Sequence, residues 1–202
     1  MVPNSPQTQQ LLDQARAGSA SAVEQLLDQH REPVRRMIGL RLDPAIGRRV
    51  DASDVVQEVL LEASRRLSDY LKKPDMPFHL WLRHIARDHL IDAHRRHRAQ
   101  KRGVQREQPA IPAGWADRSS IELANQFIDQ ELTPASAAIR QEMERRLHAA
   151  IAELDEADRE IILMRHFEQL SNQEVAAELE LTEAAASMRY LRAVRRLRDL
   201  MQ

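Results

Sequence analysis

The sequence contains no cysteine and few glycines or aromatic residues, and each shortage excludes a class of protein. Without cysteine, the chain of 202 residues can form neither a disulfide framework nor a thiolate metal site. Aromatic residues make up 3 %, glycine occurs five times, and no Asn-Gly or Asp-Gly pair marks a β-hairpin. The apolar residues are mostly Leu, Ala, Ile and Val, which suit the packing faces of helices. We therefore expect an all-α protein.

Long apolar runs and catalytic motifs are also missing. No stretch approaches the roughly 20 apolar residues of a membrane span, and the N-terminus is polar, so we expect a cytoplasmic protein without membrane insertion. The chain has no Gly-rich phosphate loop, no Ser/His/Asp set and no H-E-x-x-H motif, so we do not expect an enzyme. Of His84, His89, His94 and His97, only the last two have a spacing that lets them pair on a helix. The sequence therefore predicts no catalytic residue, no metal site and no cofactor.

The net charge of −1 hides three strongly charged segments. Residues 83–106 carry eight Lys and Arg against two Asp, and residues 187–198 carry five Arg and no acid. Between them, residues 153–183 hold ten acids against two Arg. Two basic helices beside an acidic one suggest two surfaces that face phosphates, although three solvated helix faces would give the same pattern.

Apolar periodicity predicts two small helical domains joined by a flexible linker. An N-terminal helical bundle spans residues 8–100, with a helix starting at Pro33, another capped by Ser53 and a third starting at Phe78. Residues 101–134 lose the periodicity and contain several prolines, which predicts the linker, with one short helix near residues 121–132. Residues 135–202 form the C-terminal domain, in which a helix ending near Leu154 and another over residues 158–167 precede a helix-turn-helix.

The helix-turn-helix pattern begins at Ser171. Ser171 can cap the first helix while Glu174 closes a capping box, and Thr182 can cap the second helix. Small Ala176 and Ala177 permit close approach of the two helices, and the second helix would turn Ser187, Arg189 and Arg192 toward a major groove. The alternative is a helical hairpin that merely has an Arg-rich surface.

Three motifs in register together resemble one known family. The helix-turn-helix, the stretch Asp51-Ala52-Ser53-Asp54-Val55-Val56-Gln57-Glu58-Val59 and the stretch Trp81-Leu82-Arg83-His84-Ile85-Ala86-Arg87 are similar to the extracytoplasmic-function (ECF) sigma factors of bacterial RNA polymerase, in the sigma-70 family. The resemblance covers nearly the whole chain except the first few residues and the linker. It implies a sigma factor that binds core RNA polymerase, recognises promoter DNA and promotes strand opening. Whether an anti-sigma protein also binds the chain stays open.

The resemblance also implies three sets of site residues. The residues expected to bind polymerase are Asp54, Gln57, Glu58 and Leu61. Those expected to contact the minus-ten element as duplex and melted strand are Lys72, Lys73, Phe78, Arg83, Arg87, Asp88, Arg95 and Arg96. Those expected to contact the minus-thirty-five element are Thr182, Ser187, Met188, Arg189, Arg192, Arg195 and Arg196. For Phe78 and Trp81, a purely structural place in the core is the alternative.

Two positions depart from the family pattern. Asp88 stands where the family often has Asn, and an ionised carboxylate can only accept hydrogen bonds. Ala185-Ala186-Ser187-Met188 replaces the more usual Thr-Val-Lys-Ser, so recognition of the minus-thirty-five element would depend more on Arg189, Arg192 and apolar contact from Met188.

Two other functions fit part of the sequence. A helix-turn-helix regulator would bind duplex DNA without polymerase and would need no strand-melting loop. A protein-interaction adaptor would bind no DNA with or without polymerase. A DNA-binding assay with the purified chain, with and without core polymerase, separates the three functions. A regulator binds a specific duplex alone, a sigma factor binds only with core polymerase, and an adaptor binds in neither case.

Overall fold

The computed structural model describes residues 4–42, 51–100 and 137–201, and every regular element in these ranges is helical. This confirms the expected all-α class. The chain divides into two compact units, Met1–Glu107 and Gln108–Gln202. The predicted linker and the short helix near residues 121–132 lie outside the described residues. Within the described ranges, no helix is both long and apolar enough to cross a membrane.

The first unit contains four described helices, which are α1 (Pro6–Arg16), α2 (Ala20–Arg41), α3 (Ala52–Lys72) and α4 (Phe78–Gln100). Serine side chains start the first two, because Ser5 Oγ accepts from the Thr8 amide at 3.1 Å and Ser19 Oγ accepts from the Ala22 amide at 3.3 Å. Gly18 adopts φ +93° between them, a left-handed conformation that glycine tolerates without a Cβ clash. A short turn therefore reverses the chain between α1 and α2.

Two predicted helix starts are wrong. Pro33 lies inside α2 and does not begin a helix. Its ring removes one backbone donor, but Leu26 and Val34 on either side are both buried, and this packing holds the helix together across the proline. At α3 the cap is Asp51, whose Oδ1 accepts from the Ser53 amide at 2.9 Å, so Ser53 is already inside the helix.

An apolar core joins the four helices, and an aromatic cluster lies within it. The cluster consists of His30, Tyr70, Phe78 and Trp81, which come from α2, α3 and α4. Phe78 is completely buried, and its ring centroid lies 5.0 Å from that of His30, 5.6 Å from Tyr70 and 5.4 Å from Trp81. Offset and edge-on aromatic contacts at these distances are favourable. The cluster therefore fixes where α4 begins relative to α2 and α3.

The second unit contains α5 (Ala137–Glu153), α6 (Glu156–Ile162), a π-helical turn (Leu163–Phe167), α7 (Asn172–Glu178) and α8 (Glu183–Met201). Asp155 caps α6, so the helix predicted from residue 158 begins two residues earlier. The guanidinium of Arg159 donates to the carbonyl oxygens of Ile151, Ala152 and Leu154 at 3.1, 2.6 and 2.8 Å. These bonds satisfy the last carbonyls of α5 and fix the corner between α5 and α6.

The partly buried ring of His30 makes the stability of the first unit depend on pH. Burial lowers the pKa of His30 from 6.5 to about 4, and the neighbouring His79 adds to the effect. The folded ring stays neutral while the unfolded chain takes up a proton below pH 6.5. Stability is therefore complete above pH 6.5 and falls as the pH drops toward 4.

We expect His30→Gln to reduce this pH dependence, because the variant has no ring to protonate. Between pH 7 and pH 4.5 the wild type should lose about 2 kcal/mol more of its free energy of unfolding than the variant does. Urea unfolding followed by circular dichroism at both pH values measures the difference. The carboxyl groups are the same in both proteins, so their effect on the pH dependence cancels in the comparison. Parallel losses in the two proteins would contradict the assignment.

Candidate functional site

The residues expected to bind polymerase share the outer face of α3. Asp54, Gln57, Glu58 and Leu61 follow one another at helical spacing, and all four are exposed, with 59 % of Leu61 open to solvent. The opposite face of α3 is buried in the core through its valines and leucines.

An open groove of about 650 Å³ between α2 and α3 lies next to this face. Its apolar lining comes from Leu27, Leu60 and Leu61, and its polar lining includes Asp28, Arg31 and Gln57. The sequence did not predict the groove residues of α2, because Leu27 fits the apolar period of a core position. The structure leaves Leu27 partly exposed at the edge of the core.

Glu58 connects α3 to α4. Its Oε2 lies 3.6 Å from a guanidinium nitrogen of Arg96 and 3.6 Å from Nδ1 of His89. The His89 contact is an ion pair only when the ring is protonated. The side chains of Glu58 and Arg96 are 50 % and 64 % exposed, so the pair contributes less than about 1 kcal/mol. A predicted polymerase contact thus lies beside a predicted DNA contact.

Three of the predicted minus-ten residues share one exposed face of α4. Arg87, Asp88 and Arg95 lie on this face, and Arg95 pairs with Asp92 at 3.7 Å. Ile91 lies among them and is 43 % exposed. Lys72 and Lys73, before α4, are also exposed and pair with Asp69 at 2.8 Å and Asp75 at 3.6 Å.

Two of the predicted minus-ten residues are buried. Phe78 has no exposed surface, and Arg83 is only 5 % exposed. Phe78 begins α4 with its ring inside the aromatic cluster, so it offers DNA no surface in this fold. Arg83 lies five residues further along α4, on the same side of the helix as buried Ala86 and Leu90. The alternative of a structural place in the core therefore holds for Phe78, and Trp81 packs against the same core.

The helix-turn-helix in α7 and α8 has the predicted caps. Ser171 Oγ accepts from the Glu174 amide at 3.2 Å, while a carboxylate oxygen of Glu174 accepts from the Ser171 amide at 2.7 Å. Thr182 Oγ1 accepts from the Ala185 amide at 3.1 Å and so starts α8. Buried Ala176 and Ala186 let the two helices approach closely, whereas Ala177, also predicted for this contact, is exposed. The predicted capping box and the Thr182 cap are confirmed.

The face of α8 that points away from the core is partly apolar. Met188 is 59 % and Leu191 47 % exposed, and Arg192, Arg195 and Arg196 are exposed as well. Ser187 and Arg189 are only partly exposed, because they flank the face that buries Ala186, Ala193 and Leu197. The sequence analysis did not single out Leu191, which the structure leaves exposed on this face.

A carboxylate of α6 lies close to three of these arginines. Burial raises the pKa of Asp158, and the neighbouring Asp155 adds to the rise, while Arg192, Arg189 and Arg196 oppose it. The charge of these arginines is therefore partly balanced within the unit, whereas Arg195 lies on the outer side of α8.

The chain belongs to the ECF sigma factors, because residues 6–200 match that family. It is 27 % identical over 191 residues to the RNA polymerase sigma-H factor of Pseudomonas aeruginosa, covering 93 % of this chain and 90 % of that protein. It is 29 % identical over 188 residues to the ECF RNA polymerase sigma factor SigD of Mycobacterium tuberculosis, covering 92 % and 80 %. Among solved structures, CnrH in complex with the cytosolic domain of CnrY is similar with a TM-score of 0.60 and 25 % identity over 96 % of each chain.

The protein is therefore an RNA polymerase sigma factor, a regulatory subunit of the polymerase. It binds core polymerase, recognises promoter DNA and promotes strand opening for the initiation of transcription. The match extends over both helical units, so a regulator that only shares the helix-turn-helix is set aside.

The turn of the helix-turn-helix gives a prediction about Glu180. Glu180 adopts φ +54°, a left-handed conformation that is strained for residues with branched Cβ atoms. We expect Glu180→Val to destabilise the second unit by about 1 kcal/mol or more, and Glu180→Gly to be neutral or stabilising. Hydrogen exchange of the α7 and α8 amides in the full chain measures this directly.

Gln173→Val is the matched control, because Gln173 is exposed inside α7 and its conformation is helical. It should cost only the helix propensity of valine, about 0.5 kcal/mol. Equal effects of valine at positions 173 and 180 would contradict a strained turn.

Proposed function

We propose that this sigma factor divides its work among three surfaces. The outer face of α3 and the adjoining groove bind core polymerase, the exposed face of α4 and the loop before it hold the minus-ten strand, and the outer face of α8 reads the minus-thirty-five duplex. The observation that carries the proposal is the exposure of Asp54, Gln57, Glu58 and Leu61 as one face beside an apolar groove. In this division the domains are residues 8–100 and 135–202, joined by residues 101–134.

The surface on α2 and α3 suits a helical partner. Leu27, Leu60 and Leu61 offer apolar contact, while Gln57 and Glu58 offer polar groups at the edge. An amphipathic helix fits such a groove by inserting apolar residues and pairing its polar residues with the rim. We therefore assign Asp54, Gln57, Glu58 and Leu61 to polymerase binding and add Leu27 to the set.

The surface on α4 suits a single DNA strand. Lys72, Lys73, Arg87, Arg95 and Arg96 supply positive charge for phosphates, and exposed Ile91 supplies an apolar contact for an unstacked base. Asp88 lies among them as an acceptor for base donors. Phe78 and Arg83 leave this set, because both are buried, and they support the surface from inside.

The surface on α8 suits the major groove of duplex DNA. Met188 and Leu191 can contact thymine methyl groups, and Arg192, Arg195 and Arg196 can bind phosphates or guanine edges. Arg189 and Ser187 lie at the margin of this face, and Thr182 holds the helix end that would approach the backbone.

The proposed setting is the cytoplasm, where the chain acts as a binding subunit with no catalytic residue of its own. We also propose an anti-sigma protein as a second partner. The support is the solved complex of the relative CnrH with the cytosolic domain of CnrY.

Replacing both Gln57 and Glu58 with Ala should weaken polymerase binding without unfolding the chain. Exposed helix positions tolerate Ala within about 0.5 kcal/mol, so urea unfolding should hardly change. The loss should appear as reduced recovery of core polymerase with the tagged full chain. Arg65→Ala with Ser68→Ala, exposed positions of α3 outside this set, is the control and should bind like wild type. Recovery equal to wild type in the Gln57/Glu58 variant would leave these residues as solvated surface only.

The two DNA surfaces should fail at different steps. Arg189→Ala should weaken promoter binding by about 1 to 3 kcal/mol, because it removes a contact to duplex DNA, while melting survives in recruited polymerase. Arg87→Ala with Arg95→Ala should leave closed complexes largely intact and reduce open complexes, because it removes the groups that hold the melted strand. Gel-shift assays and permanganate footprinting measure the two steps.

A pre-melted bubble template is the decisive comparison for these variants. It should restore transcription by the Arg87/Arg95 variant more than by the Arg189 variant, since the bubble replaces only the melting step. Equal restoration of both variants, or of neither, would show that the two surfaces are wrongly assigned.

A further inference from the structure

The loop of residues 73–77 joins α3 to α4, and one hydrogen bond holds the end of α3 before it while another reaches into the loop itself. On the α3 side, the guanidinium of Arg16 in α1 donates to the carbonyl oxygen of Leu71 at 3.4 Å. On the α4 side, the hydroxyl of Tyr70 donates to the carbonyl oxygen of Met76 at 2.9 Å. The chain is thus anchored on both sides of the loop. The loop connects Lys72 and Lys73 to the exposed face of α4 that we assign to DNA.

The first turn of α4 has no cap from its own sequence. Pro77 precedes the helix, and its side chain has no oxygen that could accept from the free amides of the first turn. Its carbonyl oxygen accepts from the amides of Leu80 at 3.1 Å and Trp81 at 3.0 Å. The amide of Phe78 therefore needs an acceptor from another part of the chain.

Asn4 supplies this acceptor from 74 residues away. Its side-chain Oδ1 lies 2.7 Å from the amide nitrogen of Phe78, whose side chain is completely buried. Asn4 also lowers the pKa of Tyr70, which partly opposes the rise that burial causes. Asn4 therefore bonds the residue that begins α4 and acts on the residue whose hydroxyl holds Met76.

We propose that Asn4 is a positioning residue for the loop of residues 73–77 and the start of α4, and so for base selection at the minus-ten element. The proposal rests on the assignment of that surface to the minus-ten strand. Losing the bond frees the amide of Phe78 and loosens the loop. It leaves the outer face of α3 and the whole second unit unchanged, so polymerase binding and minus-thirty-five preference should persist.

The test uses holoenzymes assembled from core polymerase and the full chain as wild type, Asn4→Ala or Asn4→Asp. Each transcribes the same library of genomic fragments in a run-off assay, and the sequences upstream of the start sites are compared. Asn4→Ala should lower run-off product roughly three- to ten-fold, as expected for one lost hydrogen bond. It should also flatten the base preference at the minus-ten element and leave that at the minus-thirty-five element intact. Asn4→Asp should restore both, because its carboxylate still accepts from the Phe78 amide.

Ser5→Ala is the matched control, because it removes the neighbouring cap of α1 at the Thr8 amide and keeps Asn4. It should leave the minus-ten preference unchanged. The proposal is overturned if Ser5→Ala flattens that preference as Asn4→Ala does, or if Asn4→Asp behaves like Asn4→Ala. It is also overturned if Asn4→Ala reduces the base preference at both promoter elements together, or changes the preference at neither element. A wild-type holoenzyme that enriches no minus-ten element would overturn the assignment of the DNA surface itself, and the role of Asn4 with it.

Discussion

The packing of Phe78 at the centre of the first unit is the constraint on which the other surfaces depend. Its ring contacts His30 of α2, Tyr70 of α3 and Trp81 of α4, and no part of it reaches solvent. Because a completely buried ring admits little rotation of the helices around it, the rotation of α4 is set at its first residue. Every side chain that α4 presents to solvent, from Arg87 to Arg96, follows from that rotation.

The first unit brings the proposed polymerase surface and the proposed minus-ten surface onto adjacent helices. Glu58 on α3 lies within 3.6 Å of both His89 and Arg96 on α4, so an acidic and a basic surface meet along one seam. The side chains are largely exposed, and ion pairs of this kind are weak. They can therefore be exchanged at little cost for ion pairs with polymerase or with phosphates, the two partners proposed for these surfaces.

The second unit depends instead on local capping. The capping box at Ser171 and the Thr182 cap set both helix starts within a few residues, and the left-handed conformation of Glu180 makes the turn between them. Buried alanines allow α7 and α8 to approach, and Asp158 of α6 partly balances the charge of Arg189, Arg192 and Arg196. The result is a helix whose outer face combines apolar and cationic groups, which matches what duplex DNA presents in the major groove.

The sequence by itself determined the all-α class, the helix-turn-helix with its caps and the ECF family, because periodicity, capping and motif order are local properties of the chain. The assignment of residues to polymerase and DNA stays a prediction. Only the tertiary structure decided that α2 continues through Pro33, that Phe78 and Arg83 are buried, and that Ile91 and Leu191 are exposed. Each of these depends on which side of a helix meets its neighbours, and periodicity cannot resolve this at the margins of an apolar stripe. The bond between Asn4 and Phe78 joins residues 74 positions apart, so no local pattern could reveal it.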